Sequence, residues 1–383
     1  MPPTILVLGA AGETGRVLTP LLLAHTDARL ILAGRDPVAL GQAAATLADP
    51  PRVTTRSFDA TLPADRLAGA FEGVDLAVMV APVTRALPRL VRAACAAGAD
   101  TLDIQFSPEK LAGLRALEPE LLAAGRTAIT DGGFHPGVPA LMLRAVEEHF
   151  DVIRSARIGS IIQEDWKRLR IRPETAREFV EFITDMLPEH VRDGKWVREK
   201  ATSAEAMPFI DFGAPFGRHR CFAMGLEEMR LWAQDRPGLD RAGFYVAGFN
   251  PVVDHFLLPI VLLAQHVAPG RLVGPLSSLM LGGLRAFCRP PWGTLLRLEA
   301  EGERGGLPAS ARLSLFHQDT YAMTAFPVAA AIRQWCRGLL RGPGLRFQAL
   351  ALEPHAFLED MRLFGATVEL QATSPAEAAA APA

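Results

Sequence analysis

The 383-residue chain lacks several features that commonly mark a protein's class. Its four cysteines, Cys95, Cys221, Cys288 and Cys336, lie far apart and form no Cys-x-x-Cys pair. That argues against a zinc ribbon or a disulfide scaffold and for a reduced, cytoplasmic setting. Neither sign of charge dominates, since 40 basic and 42 acidic residues leave a net −2. A chain that coats nucleic acid or is polyacidic is thereby excluded. No His-Glu-x-x-His or comparable spacing points to a metal. No basic segment with a cleavage site precedes the first apolar run, so no signal peptide is expected. The longest uncharged apolar stretches are Phe256 to Gly270 and Leu272 to Leu284, separated by Arg271. Both fall short of the roughly 18–20 residues that span a bilayer. They read as a buried helical hairpin or, alternatively, as a lipophilic tunnel or a membrane-surface contact. Lysine is scarce too: Lys110, Lys167, Lys195 and Lys200 stand among the 40 basic residues.

What is present is a core. Half of the chain (49%) is apolar and 21% charged, which excludes a largely disordered protein. The length favours two domains at about 100–200 residues each. Over the first 135 residues, short β-branched runs alternate with helical patterns. Strands are expected at Thr4 to Leu8, Leu30 to Ala33, Val53 to Phe58, Asp75 to Ala81, Thr101 to Ile104 and Thr127 to Thr130. This alternation specifies an α/β fold, a Rossmann-type doubly wound parallel sheet. The pattern then changes. Ser155 to Gln163 reads as a strand and Pro173 to Met186 as a helix. Thr294 to Glu303 and Ala309 to His317, around Gly305-Gly306, read as a long hairpin. A second α+β domain with a mainly antiparallel sheet follows. Val328 to Leu340 and Pro354 to Phe364 read as late helices. The alanine- and proline-rich residues 372–383 read as a disordered tail.

The glycines Gly9, Gly12 and Gly15 leave the first strand and open a helix, with Ala11, Glu13 and Thr14 between them. That is the setting of a dinucleotide-binding turn. The first glycine permits a sharp turn, the second a close approach of backbone to pyrophosphate, and the third tight packing of helix on strand. The free N–H groups of the helix start suit the phosphates. An NAD site places an acid about 20 residues further on. Here that place holds Arg35, after Gly34, and a guanidinium there can pair with a 2′-phosphate. NADP is therefore expected over NAD. Asp36 could oppose this by turning inward, or could cap the helix that begins at Pro37. Asp59 is a candidate adenine contact or a plain turn residue, and Ala81-Pro82 should lie beside the nicotinamide ribose.

Chemistry is harder to place. The two tyrosines, Tyr245 and Tyr321, are followed four residues later by Phe249 and Ala325, so the Tyr-x-x-x-Lys pair of short-chain dehydrogenases is missing. Cys95, inside a run of alanines, reads as a small buried residue rather than a nucleophile. Asp131-Gly132-Gly133-Phe134-His135-Pro136-Gly137 ends the sixth strand, again at the edge facing a cofactor.

These segments together resemble the saccharopine dehydrogenase-like NADP-binding oxidoreductases. The resemblance rests on Val7 to Val17, on Ala81-Pro82, on Ala94 to Gly98 with Thr101-Leu102-Asp103, on Gly133 to Gly137 against that family's Gly-Leu-Asp-Pro-Gly, and on Tyr321 to Ala330. It covers residues 1–150 and 310–370. It implies a dinucleotide-binding domain (1–135), a substrate and dimerisation domain (136–325), and C-terminal helices (326–371) that return to the first. It also implies a homodimer and hydride transfer to or from a C=N, C=O or C=C bond of a small-molecule substrate. Members act on C–N bonds of amino acids and polyamines, and remote relatives on lipids. His135 stands where the family carries an acid. It is a candidate proton carrier, or only a loop residue, and Asp131 either orients it or holds the loop. Arg168, Arg170 and Arg172 alternate as on a solvated strand face. With no arginine cluster for two carboxylates, the apolar 256–288 region points to a lipophilic substrate. Two other readings remain: an NADP-binding sensor or scaffold without turnover, and a lipid-associated protein at a membrane surface.

Overall fold

The computed structural model describes residues 1–169, 182–183, 185–200, 203–268, 272–340 and 342–373. Its contacts divide into two compact units, residues 1–141 with 321–364, and residues 142–320 with 365–383.

The first unit opens with six strands: β1 (Thr4–Leu8), β2 (Arg29–Gly34), β3 (Val53–Ser57), β4 (Leu76–Met79), β5 (Asp100–Asp103) and β6 (Thr127–Thr130). β1, β4 and β6 are buried at every position, as expected of a parallel sheet covered on both faces. On one face Leu6, Leu8, Ile31, Ala33, Ala77 and Met79 meet Leu87, Leu90, Val91 and Ala94 of the Leu87–Ala96 helix and Leu114 of the Pro108–Ala116 helix. On the other face Ile5, Val7, Leu30, Leu32 and Val78 are equally buried. Each such side chain contributes about 1.5–3 kcal/mol over exposure.

The second unit supplies β7 (Val152–Gln163), β8 (Glu189–Arg192), β9 (Lys195–Arg198), β10 (Phe209–Asp211), β11 (Arg218–Ala223), β12 (Arg241–Ala247), β13 (Gly293–Arg304) and β14 (Leu307–His317). The chain then forms β15 (Gly344–Phe347) and β16 (Thr367–Thr373). β15 adds to β6 in parallel, giving the first sheet the order β15-β6-β5-β4-β1-β2-β3. The second sheet runs β10-β11-β12-β7-β13-β14-β16, with β8 beside β12 and β9 beside β8. Only its β12–β7 pair is parallel among the described residues. The fold is thus α/β, a Rossmann-type sheet plus a mainly antiparallel one. The β13–β14 hairpin turns on Gly305 and Gly306, both at positive φ (59° and 75°). A two-residue turn of this hand matches the twist of its strands.

Several expectations are corrected. The tail does not begin at 372, because Ala372 and Thr373 pair with Ala311 and Ser310 as the end of β16. β15 was not expected at all. The late helix spans Thr320–Cys336, with Pro327 inside it. Its middle, Ala325 to Ile332, is buried at every position, so the one-faced pattern that marks a helix is confined to its ends. The 326–371 segment divides, with residues up to 364 in the first unit and the rest in the second. The apolar hairpin is only half buried. Its helices, Leu258–Val267 and Val273–Phe287, turn Val261, Leu276, Met280 and Leu284 into a local core with Val253, while other large apolar side chains face out. No helix among the described residues is long and apolar enough to cross a membrane. The helix expected at Pro173 to Met186, and Arg170 and Arg172, lie largely or wholly outside the described residues.

Candidate active site

Strand order in the first sheet reverses between β1 and β4, and in such sheets ligands bind beyond the carboxyl ends of the strands at that point. Gly9 ends β1 there at φ 96°, and its N–H donates to Ala33 O at 2.9 Å. A Cβ on Gly9 would lie 2.7 Å from Ala81 N, so the turn and the end of β4 abut. A Cβ on Gly15 would meet Gly9 O at 2.4 Å and Ala10 Cα at 2.5 Å, so helix and turn touch backbone to backbone. Gly12 caps the Glu13–His25 helix without a side-chain acceptor. The first N–H groups are thus left for an anion. Backbone fills the space that a Cβ would need at Gly9 and Gly15, and Ala11, Glu13 and Thr14 complete the turn. This arrangement fits a dinucleotide pyrophosphate.

At the end of β2, Asp36 is engaged as a helix cap: its Oδ1 accepts from Val38 N (2.9 Å) and Ala39 N (3.2 Å). Arg35 beside it is exposed, and Gly34 leaves room. Asp59 follows β3. Its Oδ1 accepts from the Thr61 N–H and hydroxyl at 2.9 and 2.8 Å. The backbone bond first, then the hydroxyl, hold its carboxyl below the usual range, and Arg35 adds a weaker pull. Asp59 therefore forms a turn and shares the charge environment of Arg35.

The second glycine turn follows β6. Asp131 adopts φ 51°, unusual for a residue with a Cβ, and Gly133 and Gly137 are at φ 89° and 115°. Gly132 N donates to Asp103 O at 2.8 Å. Beneath the turn lies Lys110, fully buried, whose ammonium donates to Asp131 Oδ1 (2.5 Å), Gln105 O (2.6 Å), Thr130 Oγ1 (2.8 Å) and Asp103 Oδ1 (3.1 Å). Burial works against the Lys110 charge, but Asp103 and Asp131 outweigh it and raise its pKa. Burial, ahead of the opposing Lys110, pushes the Asp103 carboxyl up. With two carboxylates against one ammonium, Asp103 is the place where a proton would be retained. Gln348, from the segment after β15, closes the turn. It accepts from Gly133 N (3.3 Å) and donates to Gly133 O (3.3 Å) and Gly137 O (3.2 Å).

His135 rides on this turn, its ring 4.7 Å from that of Phe134. The residue keeps some surface, but both ring nitrogens are enclosed. Burial pushes its pKa down to about 4, away from the neutral range that free imidazole suggests. At pH 7 His135 is a neutral imidazole. Between the two turns, Gln105 donates from Nε2 to Ala81 O (2.7 Å) and Met79 O (3.2 Å), tying β5 to the Ala81-Pro82 end of β4.

The carboxyl edge of one sheet thus brings together Gly9 to Gly15, Gly34, Arg35, Asp59, Ala81, Pro82, Asp131 and His135. Sequence reasoning missed Lys110, Gln105 and Gln348. Lys110 offered one signal, as a lysine in a chain that otherwise favours arginine. Cys95 is buried in its helix, and burial first raises its pKa. Asp254 accepts from Phe249 N at 2.9 Å in a local turn. A cavity of about 550 Å³ in the second unit, lined among others by Trp196, Arg230 and Arg236, contains none of the expected site residues. Its arginines are paired with Glu227 and Glu147.

Residues 5–130 match the family described as the saccharopine dehydrogenase NADP-binding domain. NADP is the cofactor of such a domain, and the turn geometry and the freed Arg35 fit it. No curated protein matches. Among solved structures, the chain is similar to saccharopine dehydrogenase (L-Glu forming) from Saccharomyces cerevisiae, with a TM-score of 0.70 and 16% identity over 97% of this chain and 100% of that one. At that identity the likeness shows the fold. Weaker likenesses are to diaminopimelate dehydrogenase of C. glutamicum (TM-score 0.47, 14% identity, 94% and 98% covered) and to an engineered D-amino acid dehydrogenase bound to NADP+ (0.44, 14%, 93% and 96%).

Proposed function

From the premise of an NAD(P)-dependent oxidoreductase with a saccharopine dehydrogenase-type NADP-binding domain, we propose hydride transfer at a C=N, C=O or C=C bond of a small, lipophilic substrate. The observation that carries this reading is the shared edge: two glycine turns, one open to phosphates and one bearing an enclosed imidazole, end strands of the same sheet. NADP supplies the hydride-carrying nicotinamide. The chain's residues do the rest. Backbone N–H groups at Gly12 to Gly15 hold the pyrophosphate, Arg35 the 2′-phosphate, and Ala81-Pro82 flank the nicotinamide ribose. Asp59 borders the adenine end. His135, neutral at pH 7, accepts a proton at its unprotonated imidazole nitrogen when a substrate is oxidised. In reduction the step reverses: the protonated imidazole gives its proton to the oxygen, nitrogen or carbon left negative by the hydride. Lys110 and Asp131 position it by holding the turn. A homodimer in the cytoplasm completes the proposal.

The depressed pKa of His135 favours one second reading, an NADP-binding sensor or scaffold. A weak proton donor, with no Tyr-x-x-x-Lys pair beside it, suits binding without turnover.

The experiment is a pair of titrations followed by turnover. NADPH should bind more tightly than NADH, and Arg35→Ala should cut that preference by about 10–100-fold, the loss of one or two charge-assisted bonds. A panel of imines, ketones and enoyl thioesters of rising chain length should then consume NADPH, fastest for the longer chains. Tight NADPH binding without consumption of any of them would leave the sensor reading. Equal NADPH and NADH affinities would sink the assignment of Arg35.

A further inference from the structure

The apolar helix pair of the second unit has an outer face that neither of the two proposed readings uses. Ile260, Leu263 and Val267 recur at intervals of three and four residues, which places them on one side of the Leu258–Val267 helix, and Phe256 stands in the π-helical turn Val253–Leu257 that leads into it. Phe256, Ile260, Leu263 and Val267 are 66%, 51%, 64% and 73% exposed. The adjoining side, with Val253 and Val261, is buried in the local core. The second helix adds Leu279 and Phe287, also exposed, and approaches the first closely at Gly283, where a Cβ would lie 2.3 Å from Leu257 Cδ1. From Phe256 to Gly270 the sequence contains no Asp, Glu, Lys or Arg. Isolated exposed apolar residues are ordinary, but a continuous apolar row marks a contact surface.

Charge at the end of this pair points to the occupant. Arg285 donates to the main-chain carbonyls of Trp166 and Leu169, each at 3.3 Å. This holds the 166–169 turn against the end of the second helix and sets exposed Lys167 and Arg168 near Arg285 and exposed Arg289. Among the described residues of that turn the acids are Asp165, paired with Arg168 at 3.1 Å, and Glu164, which accepts from Thr320 at 2.6 Å. Asp254, on the first turn, is directed inward to Phe249 N. Four cations thus stand beside an apolar row in a chain whose net charge is −2. An anionic lipid surface complements both parts. Apolar side chains enter the acyl boundary and the cations meet headgroup phosphates, as with amphipathic helices lying in the interface plane.

We propose that the Phe256–Phe287 helix pair docks the protein on an anionic membrane surface. This is independent of whether the chain turns over a substrate. The test is flotation of the full chain with vesicles of phosphatidylcholine alone, or of phosphatidylcholine with phosphatidylglycerol. Wild type should float with the mixed vesicles, and less so as salt rises. The triple variant Phe256→Ser, Leu263→Ser, Val267→Ser changes only exposed positions and should keep the wild-type Tm. Its vesicle affinity should fall by about a thousandfold, since each of the three apolar side chains withdrawn costs about a factor of ten. Lys167→Glu with Arg289→Glu should abolish the preference for mixed vesicles. Three results would overturn the proposal: wild type that stays unbound to mixed vesicles, a triple variant that floats as well as wild type, or a charge-reversed variant that keeps the preference. If wild type stays unbound and the triple variant shifts from a larger to a smaller oligomer, the face belongs to a second copy.

Discussion

The two glycine turns of the first unit occupy equivalent places, each at the carboxyl end of a buried strand, yet they are built in opposite ways. The turn at Gly9 to Gly15 is made of absences. Missing side chains let backbone touch backbone, and the partners are at most one neighbouring strand away. The turn at Asp131 to Gly137 is made of buried polar groups. A lysine, two aspartates and a glutamine from 215 positions downstream hold it. The first turn leaves its helix-start N–H groups to a phosphate because no side chain caps them. The second fixes one side chain, His135, by satisfying the buried groups around it. A binding loop needs room, whereas a loop that presents a reacting group needs bracing.

That contrast can be broken from either side. The largest effect should come from Lys110→Met, which strands two buried carboxylates. A loss of about 3–5 kcal/mol is expected, read from the urea midpoint, and adding Asp131→Asn should recover part of it. If Lys110→Met alone unfolds no more easily than wild type, the bracing is not electrostatic. Next comes His135. Its folded pKa of about 4 lies below the unfolded value near 6.5, so between these pH values the unfolded chain binds more protons. Stability should therefore fall as pH drops through that window, by up to about 3 kcal/mol, and level off below it. His135→Gln should flatten this part of the profile in thermal melts. The smallest effect on stability should come from Gly15→Ala in the open turn, about 1–3 kcal/mol of crowding. That same change should weaken NADPH binding measurably by calorimetry, which Lys110→Met at permissive temperature should not. A Gly15→Ala protein that binds NADPH normally would refute the backbone-contact account of the first turn.

The same difference explains what could be read in the sequence. The first turn is local: Thr4 to Leu8 is apolar on both faces, its glycines follow at once, and Asp36-Pro37 announces the next helix. The β13–β14 hairpin was equally plain, because two adjacent glycines interrupt two alternating runs. The bracing of the second turn was not legible. Lys110 sits three residues into a helix where lysine ordinarily faces water, and Gln348 follows a four-residue strand with a half-exposed middle. β15 becomes a strand through its partner β6, not through its own pattern. The apolar hairpin was read as wholly buried or wholly functional because composition alone cannot divide a helix into faces. The spacing of Ile260, Leu263 and Val267 does, once the buried side is known.

The chain crosses between its two compact units at 141–142, 320–321 and 364–365. During synthesis, residues 1–141 leave the ribosome with the first glycine turn complete but the second without its glutamine. The partner arrives only after the whole second sheet except β16 has emerged. The first glycine turn and the bracing of the second, to which cofactor binding and reaction are respectively proposed, therefore mature at different times in the life of one polypeptide. No single cut yields a fragment that carries both turns intact without the middle segment. In heredity as in synthesis the two units form one indivisible cassette: recombination that exchanges the middle must return the chain in register to residue 321, or the histidine loop loses its support.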